Sequence, residues 1–149
     1  MATNFKQGFF HPRNPFKYKG DPTNIVYRSG WERKIMDWLD NKEDVKCWSS
    51  EEIVIPYVSP VDGRMHRYFI DFYVEVVDKN SNTQTMLIEV KPHAQTQEPK
   101  VPKRKTKRFI TEVMTYGVNQ AKWKAATEYC MDRGWEFKII TEYELGLKS

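Results

Sequence analysis

Asp71, Glu89 and Lys91 are three residues whose types and spacing could do metal-assisted chemistry. Asp71 lies within Arg67-Tyr68-Phe69-Ile70-Asp71-Phe72-Tyr73-Val74-Glu75-Val76-Val77. Glu89 and Lys91 close the run Thr85-Met86-Leu87-Ile88-Glu89-Val90-Lys91, which stops at Pro92. Both runs are rich in aromatic and β-branched residues, the composition of strands. An ionised carboxylate in so apolar a strand is costly unless a positive charge compensates it. Side chains alternate along a strand, so Glu89 and Lys91 project from one face and Val90 from the other. Two carboxylates supply hard oxygen ligands suited to Mg²⁺ or Mn²⁺, and the Val90 carbonyl is a third candidate. Lys91 beside them is suited to orienting a water or stabilising charge on a phosphoryl group, the needs of phosphodiester hydrolysis. The competing reading is an exposed Glu89–Lys91 pair, with Asp71 hydrogen-bonded to Arg67 or a tyrosine. It leaves unexplained why a carboxylate sits in an apolar strand and why a basic run follows Lys91.

The elements that must position these groups follow from periodicity and punctuation. The polar stretch 78–83 between the two runs predicts a turn, and hence a hairpin. Upstream, residues 29–41 have helical period, with Trp31, Ile35, Trp38 and Leu39 on one face and Met36 at its margin. Ser29-Gly30-Trp31-Glu32 has capping-box spacing. Glu32 therefore has two candidate roles, a cap on the backbone N–H of Ser29 and a carboxylate facing the strand end that carries Asp71. The residues alone favour the cap. Residues 45–48 and 51–57 read as short strands, with Pro56 marking an edge or an end.

Beyond Pro92 an irregular stretch ends in a basic run. Helical period resumes at about residue 106, with Phe109, Ile110, Val113 and Met114 on a common face. Gly117 predicts a break, and residues 118–133 a second helix, with Val118, Ala121, Ala125 and Tyr129 inward and Gly134 as its stop. Residues 135–140 alternate as a final strand, and Thr141-Glu142-Tyr143-Glu144 has the spacing of one more cap. The order is helix, three or four strands, one or two helices, then a strand. It predicts an α/β, or α+β, domain with a mixed sheet covered by helices.

The chain of 149 residues is long enough for one domain with a proper core. No run approaches the roughly 18 apolar residues of a membrane-spanning helix. Cys47 and Cys130 lack metal-ligand spacing and read as two thiols, with a disulfide left open. His11, His66 and His93 share no spacing, though His93 is near Lys91 in sequence. The net charge of +4 hides a segregation. Lys6, Arg13, Lys17 and Lys19 fall in the first 20 residues, which hold no acid. Lys100, Lys103, Arg104, Lys105, Lys107 and Arg108 fall in residues 100–108, also without acid. The remaining body holds 14 basic and 20 acidic residues. Cations gathered on an otherwise acidic body point to a polyanion partner. Residues 1–24, rich in Pro, Gly, Phe and cations, read as an extended arm that docks on this domain, a partner or DNA, with 25–149 as the domain proper.

Ile70-Asp71-Phe72 with Ile88-Glu89-Val90-Lys91-Pro92, preceded by Gly30-Trp31-Glu32-Arg33, resembles the PD-(D/E)xK nuclease superfamily with its restriction-endonuclease-like fold. Ile70 stands where that pattern usually has proline. Within the superfamily the order is similar to the amino-terminal nuclease domain of the TnsA transposase subunit. Over nearly the whole chain, including Asn119-Gln120-Ala121-Lys122-Trp123 and Ile139-Ile140-Thr141-Glu142, it is similar to the head-completion proteins of T-even-like tailed phages. The resemblance implies a metal-dependent DNA endonuclease that uses Mg²⁺ or Mn²⁺. It implies Asp71, Glu89 and Lys91 as the catalytic core, and it moves Glu32 from cap to metal-site carboxylate. Gln120 and Lys122 become candidate contacts to the DNA backbone, beside the basic run. It also implies a phage protein of the host cytoplasm or the virion head, with DNA and portal, neck or head proteins as partners. A structural head protein with little catalysis and a transposase-type subunit are the alternatives.

Overall fold

The computed structural model describes residues 7–147. Phe5, Lys6 and the rest of the first six residues lie outside the described part. Its centre is a mixed four-stranded sheet in the order β3-β6-β7-β8. These strands are β3 (Val45–Ser50), β6 (Phe72–Val77), β7 (Thr83–Val90) and β8 (Glu136–Ile140). The β3–β6 and β6–β7 pairs are antiparallel, and β7–β8 is parallel. A parallel neighbour needs a long crossover. Here α2 (His93–Thr96) and α3 (Lys107–Arg133) supply it. The predicted hairpin forms between β6 and β7, closed by Asp78, whose carboxylate accepts the backbone N–H groups of Asn80 and Asn82.

Alternation in the sheet creates two cores. Phe72, Val74 and Ile88 face α1 (Gly30–Asn41), where Ile35, Met36 and Leu39 cover them. Tyr73 and Leu87 face α3, against Trp123, Ala126 and Cys130. Trp48 of β3 is fully buried in the first core, ringed by Phe10, Tyr18 and Phe72 at centroid distances of 5.9, 4.8 and 6.3 Å. Cys47 and Cys130 are free thiols.

The segment read as an arm is, for its described residues, part of this core. Strands β1 (Gly8–Phe9) and β2 (Val26–Tyr27) pair antiparallel, and Phe10, Tyr18 and Ile25 are buried. Buried Lys17, on a 3-10 turn at Pro15–Lys17, donates to the Asp40 and Lys42 carbonyls at 3.0 and 2.7 Å. A cation there meets the negative end of the α1 dipole. The Asp40 carboxylate in turn accepts the N–H groups of Arg13 and Asn14. Of the three docking surfaces considered, residues 7–24 use the domain itself.

Three further expectations need correction. In α1, Met36 is fully buried while Trp38 is 55% exposed. The core is met at positions 35, 36, 39 and 40, and Trp38 lies about 200° from Met36 at about 100° per residue. The strand expected over 67–77 is two strands. β5 (Met65–Phe69) pairs with β4 (Val54–Val58) in a separate ribbon, and β6 joins the central sheet. At the junction the Ile70 N–H donates to the Ile53 carbonyl, and the Asp71 carbonyl accepts the Glu51 N–H. Asp71 thus lies between two ladders rather than inside one.

The third correction concerns Gly117, which breaks nothing: α3 is one helix of 27 residues, capped by the Thr106 hydroxyl and stopped at Gly134 with φ of +72°. In its first half Ile110, Val113 and Met114 are exposed. A Cβ at position 117 would meet only Pro60 Cγ, at 3.8 Å, an ordinary contact. Gly117→Ala should therefore stabilise the protein by about 0.5–1 kcal/mol through helix propensity. Urea denaturation measures it, and a loss of stability would show that the helix needs glycine there.

Candidate active site

The register of the hairpin assembles the site. Phe72 lies opposite Ile88, so Asp71 and Glu89 are neighbours one step beyond, at the end of the sheet. Asp71 Oδ2 accepts the Val90 N–H at 2.8 Å. Glu89 is only 5% exposed. Its Oε1 accepts the Tyr68 hydroxyl proton, and its Oε2 is 3.5 Å from Lys91 Nζ. Lys91 is fixed by its own N–H, which donates to the Ile140 carbonyl of the parallel neighbour. Glu89 and Lys91 thus share a face, as alternation requires.

Glu32 reaches the same region from the first turn of α1. Its N–H donates to Ser29 Oγ at 3.2 Å, the predicted cap. Its carboxylate accepts the N–H of Arg28 at 3.1 Å, one residue before the expected partner Ser29. Burial is the first cause raising the Glu32 pKa, and the charges of Glu51 and Glu89 add to it. Glu32 is therefore both a cap and a member of the carboxylate group. Asp71 feels that group most strongly. Burial first, then the Glu89 charge and the Glu32 charge, push its carboxyl up to about 8, against the Val90 N–H and Lys91.

The α3 helix adds a second cation. Half-buried Lys122 holds its Nζ over the rings of Tyr57 and Tyr68, 5.8 and 5.5 Å from their centroids. Burial and then the Lys91 charge lower its pKa, while Glu89 and Asp71 pull the other way. Gln120, two residues earlier, points about 200° away around the helix and is exposed. Lys122 thus lies toward the Asp71–Glu89 cluster and Gln120 faces away from it. Lys100, Lys103, Arg104 and Lys105, in the segment before α3, and Lys107 and Arg108, in its first turn, are all exposed. Arg108 pairs with Glu112 at 3.1 Å. His93 is turned away, its N–H donating to Glu142 and its ring against Tyr143. Tyr68 is the residue that sequence reasoning missed. In one continuous strand its parity would put it on the face opposite Asp71, and only the division at Ile70–Asp71, with Tyr68 on the separate β4–β5 ribbon, brings its hydroxyl to Glu89.

Among the described residues, no three His, Cys, Asp or Glu side chains converge into a ready cation cage. The oxygen donors fit an open site instead, one in which a hard cation keeps positions for water and substrate phosphate. A half-buried Asp71 whose ionisation is opposed by burial and by the charge of buried Glu89 is also what a divalent cation relieves.

The family model described as TnsA-like endonuclease N terminal matches residues 42–142, which include Asp71, Glu89, Lys91 and Lys122 and exclude Glu32. The head completion nuclease of Enterobacteria phage T4 is 42% identical over 139 residues, 91% of this chain and 90% of that protein. No solved structure matches the chain. The chain belongs to the TnsA-like endonuclease family, and its mixed α/β sheet is consistent with the restriction-endonuclease-like fold.

Two outcomes follow from the site. The unfolded chain ionises Asp71 near pH 4, whereas the folded one keeps the proton up to about pH 8. The native state therefore binds more protons across that window, and stability falls as pH rises through it. Thermal unfolding in EDTA should show that decline between about pH 4 and pH 8, and Asp71→Asn should flatten it; an unchanged slope would refute the shift. Tyr68→Phe strips the buried Glu89 of its donor. It should lower stability by about 1–3 kcal/mol and reduce activity further than the lost folded fraction explains. A variant equal to wild type in both would remove Tyr68 from the site.

Proposed function

We propose that this member of the TnsA-like endonuclease family is a divalent-metal-dependent DNA endonuclease acting in the completion of a phage head. The observation that carries the reading is the register that sets Asp71 beside buried Glu89, with Lys91 on the same face. Asp71, Glu89 and the Val90 carbonyl would hold Mg²⁺ or Mn²⁺, and Glu32 would complete a second position directly or through water. When bound, the cation supplies Lewis acidity toward the phosphoryl group and offsets its charge.

The chain's own groups do the rest. Tyr68 holds one oxygen of Glu89, leaving the other toward Lys91. Lys91 is well placed to donate to the attacking water or to a non-bridging phosphate oxygen. Lys122, braced on two rings, presents a second cation to the charge that builds during displacement. The basic run holds the duplex. Lys107, where the run enters α3, lies 15 positions before Lys122, about 22 Å along the helix, which is less than one turn of B-DNA at about 34 Å. One duplex can therefore meet both.

The name of the phage T4 relative supports placing the activity at head completion. There the enzyme would trim DNA at the portal vertex so that neck and tail parts can join, with portal, neck or head proteins as partners. It would work in the host cytoplasm or on the virion. Among the described residues no helix is long and apolar enough to cross a membrane.

The test is cleavage of supercoiled, linear and branched DNA by purified protein with Mg²⁺, Mn²⁺ or EDTA. Cutting should require the cation. It should fall by about 100-fold or more in Asp71→Ala and Lys91→Ala, with circular dichroism unchanged. Full activity in either variant would overturn the site, and cutting in EDTA would overturn the metal.

A further inference from the structure

Glu51 stands in a conformation that side chains avoid, with φ of +55°. Ser81, the other such non-glycine among the described residues, sits in the hairpin turn, where that geometry is common. Glu51 has no turn type to explain it. It joins β3 to the β4–β5 ribbon, and its surroundings fix it from several sides. Before it, the Ser50 N–H donates to the Tyr18 hydroxyl at 3.2 Å. Its own N–H donates to the Asp71 carbonyl at 3.2 Å, and two residues on the Ile53 carbonyl accepts the Ile70 N–H. Strained residues persist where neighbours over-determine them, and they gather at functional sites.

The Glu51 side chain is held by Arg28. Nε is 3.1 and 3.3 Å from the two carboxylate oxygens, and Nη2 is 3.1 Å from Oε2. The fork geometry is the strong, directional form of an ion pair. Yet the side chains are 53% and 32% exposed, so the pair adds little stability. It does not repay the strain at Glu51, and another role must. The covalent path shows one. The Arg28 main-chain N–H holds the Glu32 carboxylate, and the Glu51 main-chain N–H holds the Asp71 carbonyl. The ion pair thus ties the start of α1 to the junction before β6, two elements that carry different carboxylates of one site.

We propose that Arg28 and Glu51 form a positioning clamp that fixes Glu32 relative to Asp71, and with them the geometry in which the site takes its divalent cation. The inference rests on the metal-dependent reading above. Neither residue belongs to the Asp-Glu-Lys set, and neither is a catalytic residue in this account. A clamp acts as a unit, so its two halves should not be additive.

The experiment is a double-mutant cycle of Arg28→Ala and Glu51→Gln in the full chain, read by DNA cleavage and by calorimetric Mn²⁺ binding. Each single variant should weaken Mn²⁺ binding and lower kcat by about 10- to 100-fold, as loss of an outer partner does. KM, the salt dependence and Tm should stay at wild-type values. The double variant should be no worse than the singles. Losses that multiply would overturn the clamp. So would an Arg28→Ala effect confined to KM and salt slope with Glu51→Gln silent, which would make Arg28 a phosphate contact. A wild type that binds Mn²⁺ yet cuts no DNA would sink the nuclease reading, and the calorimetric cycle would still decide the clamp.

Discussion

Two carboxylates side by side in a nearly dry place are the constraint on which the rest of this structure depends. Asp71 does not ionise easily there, since burial and the neighbouring Glu89 charge both favour its proton. Each feature around them answers that cost in part. The Val90 N–H takes one oxygen of Asp71, and the Tyr68 hydroxyl takes one of Glu89. Lys91 stands at 3.5 Å on the other side, and Lys122 waits above two tyrosine rings. The compensation is incomplete, because Asp71 remains raised with these partners in place. A fully satisfied carboxylate pair would be inert scaffold. On the proposed reading, the residual imbalance would give a cation a reason to bind.

The fold serves that constraint by bringing its charges from separate elements that pack independently. The hairpin register fixes Asp71 against Glu89, and the parallel β8 strand fixes the Lys91 backbone. One core seats α1 and hence Glu32, and the other seats α3 and hence Lys122. The amino-terminal segment belongs to this logic. Phe10 and Tyr18 close the ring around Trp48, and Lys17 ties down the end of α1. Rigid elements hold a constellation more tightly than loops do.

Much of this was legible because the signals were local. Alternation told which strand residues share a face, and the polar stretch after Val77 told where the hairpin turns. Ser29 and Glu32 announced the start of α1 before any contact was known. The failures share a cause, which is that tertiary partners decided. Gly117 weakens a helix only by about 1 kcal/mol, too little to break one that is capped and packed over its second half. Trp38 looked like core because tryptophan usually is, but Met36 filled the available face. The strand through Asp71 looked continuous because both its halves are apolar, and only their separate partners divide it. Tyr68, Arg28 and Glu51 were invisible for the same reason. Each matters through a partner 21 or 23 residues away, and no periodicity encodes such a pairing.

The distribution of charge bears on how a polyanion would meet this site. Apart from the first 20 residues and the run at 100–108, acids outnumber bases by 20 to 14. Such a body repels DNA over most of its surface, and attraction is confined to a few places. The exposed run at the head of α3 is one, and Lys91 with Lys122 is another. Cations so placed do more than add affinity, since they leave few orientations in which a duplex can approach. On the proposed reading, a contact at the basic run would be sequence-blind and would weaken as salt rises. It brings phosphates near without choosing among them. Choice of the cleaved bond then falls to the site itself, where a phosphate must fit between two cations and beside two carboxylates. On the proposed reading, binding and selection are thus carried by the start and the middle of one helix, and its unbroken passage through Gly117 is what fixes the distance between them.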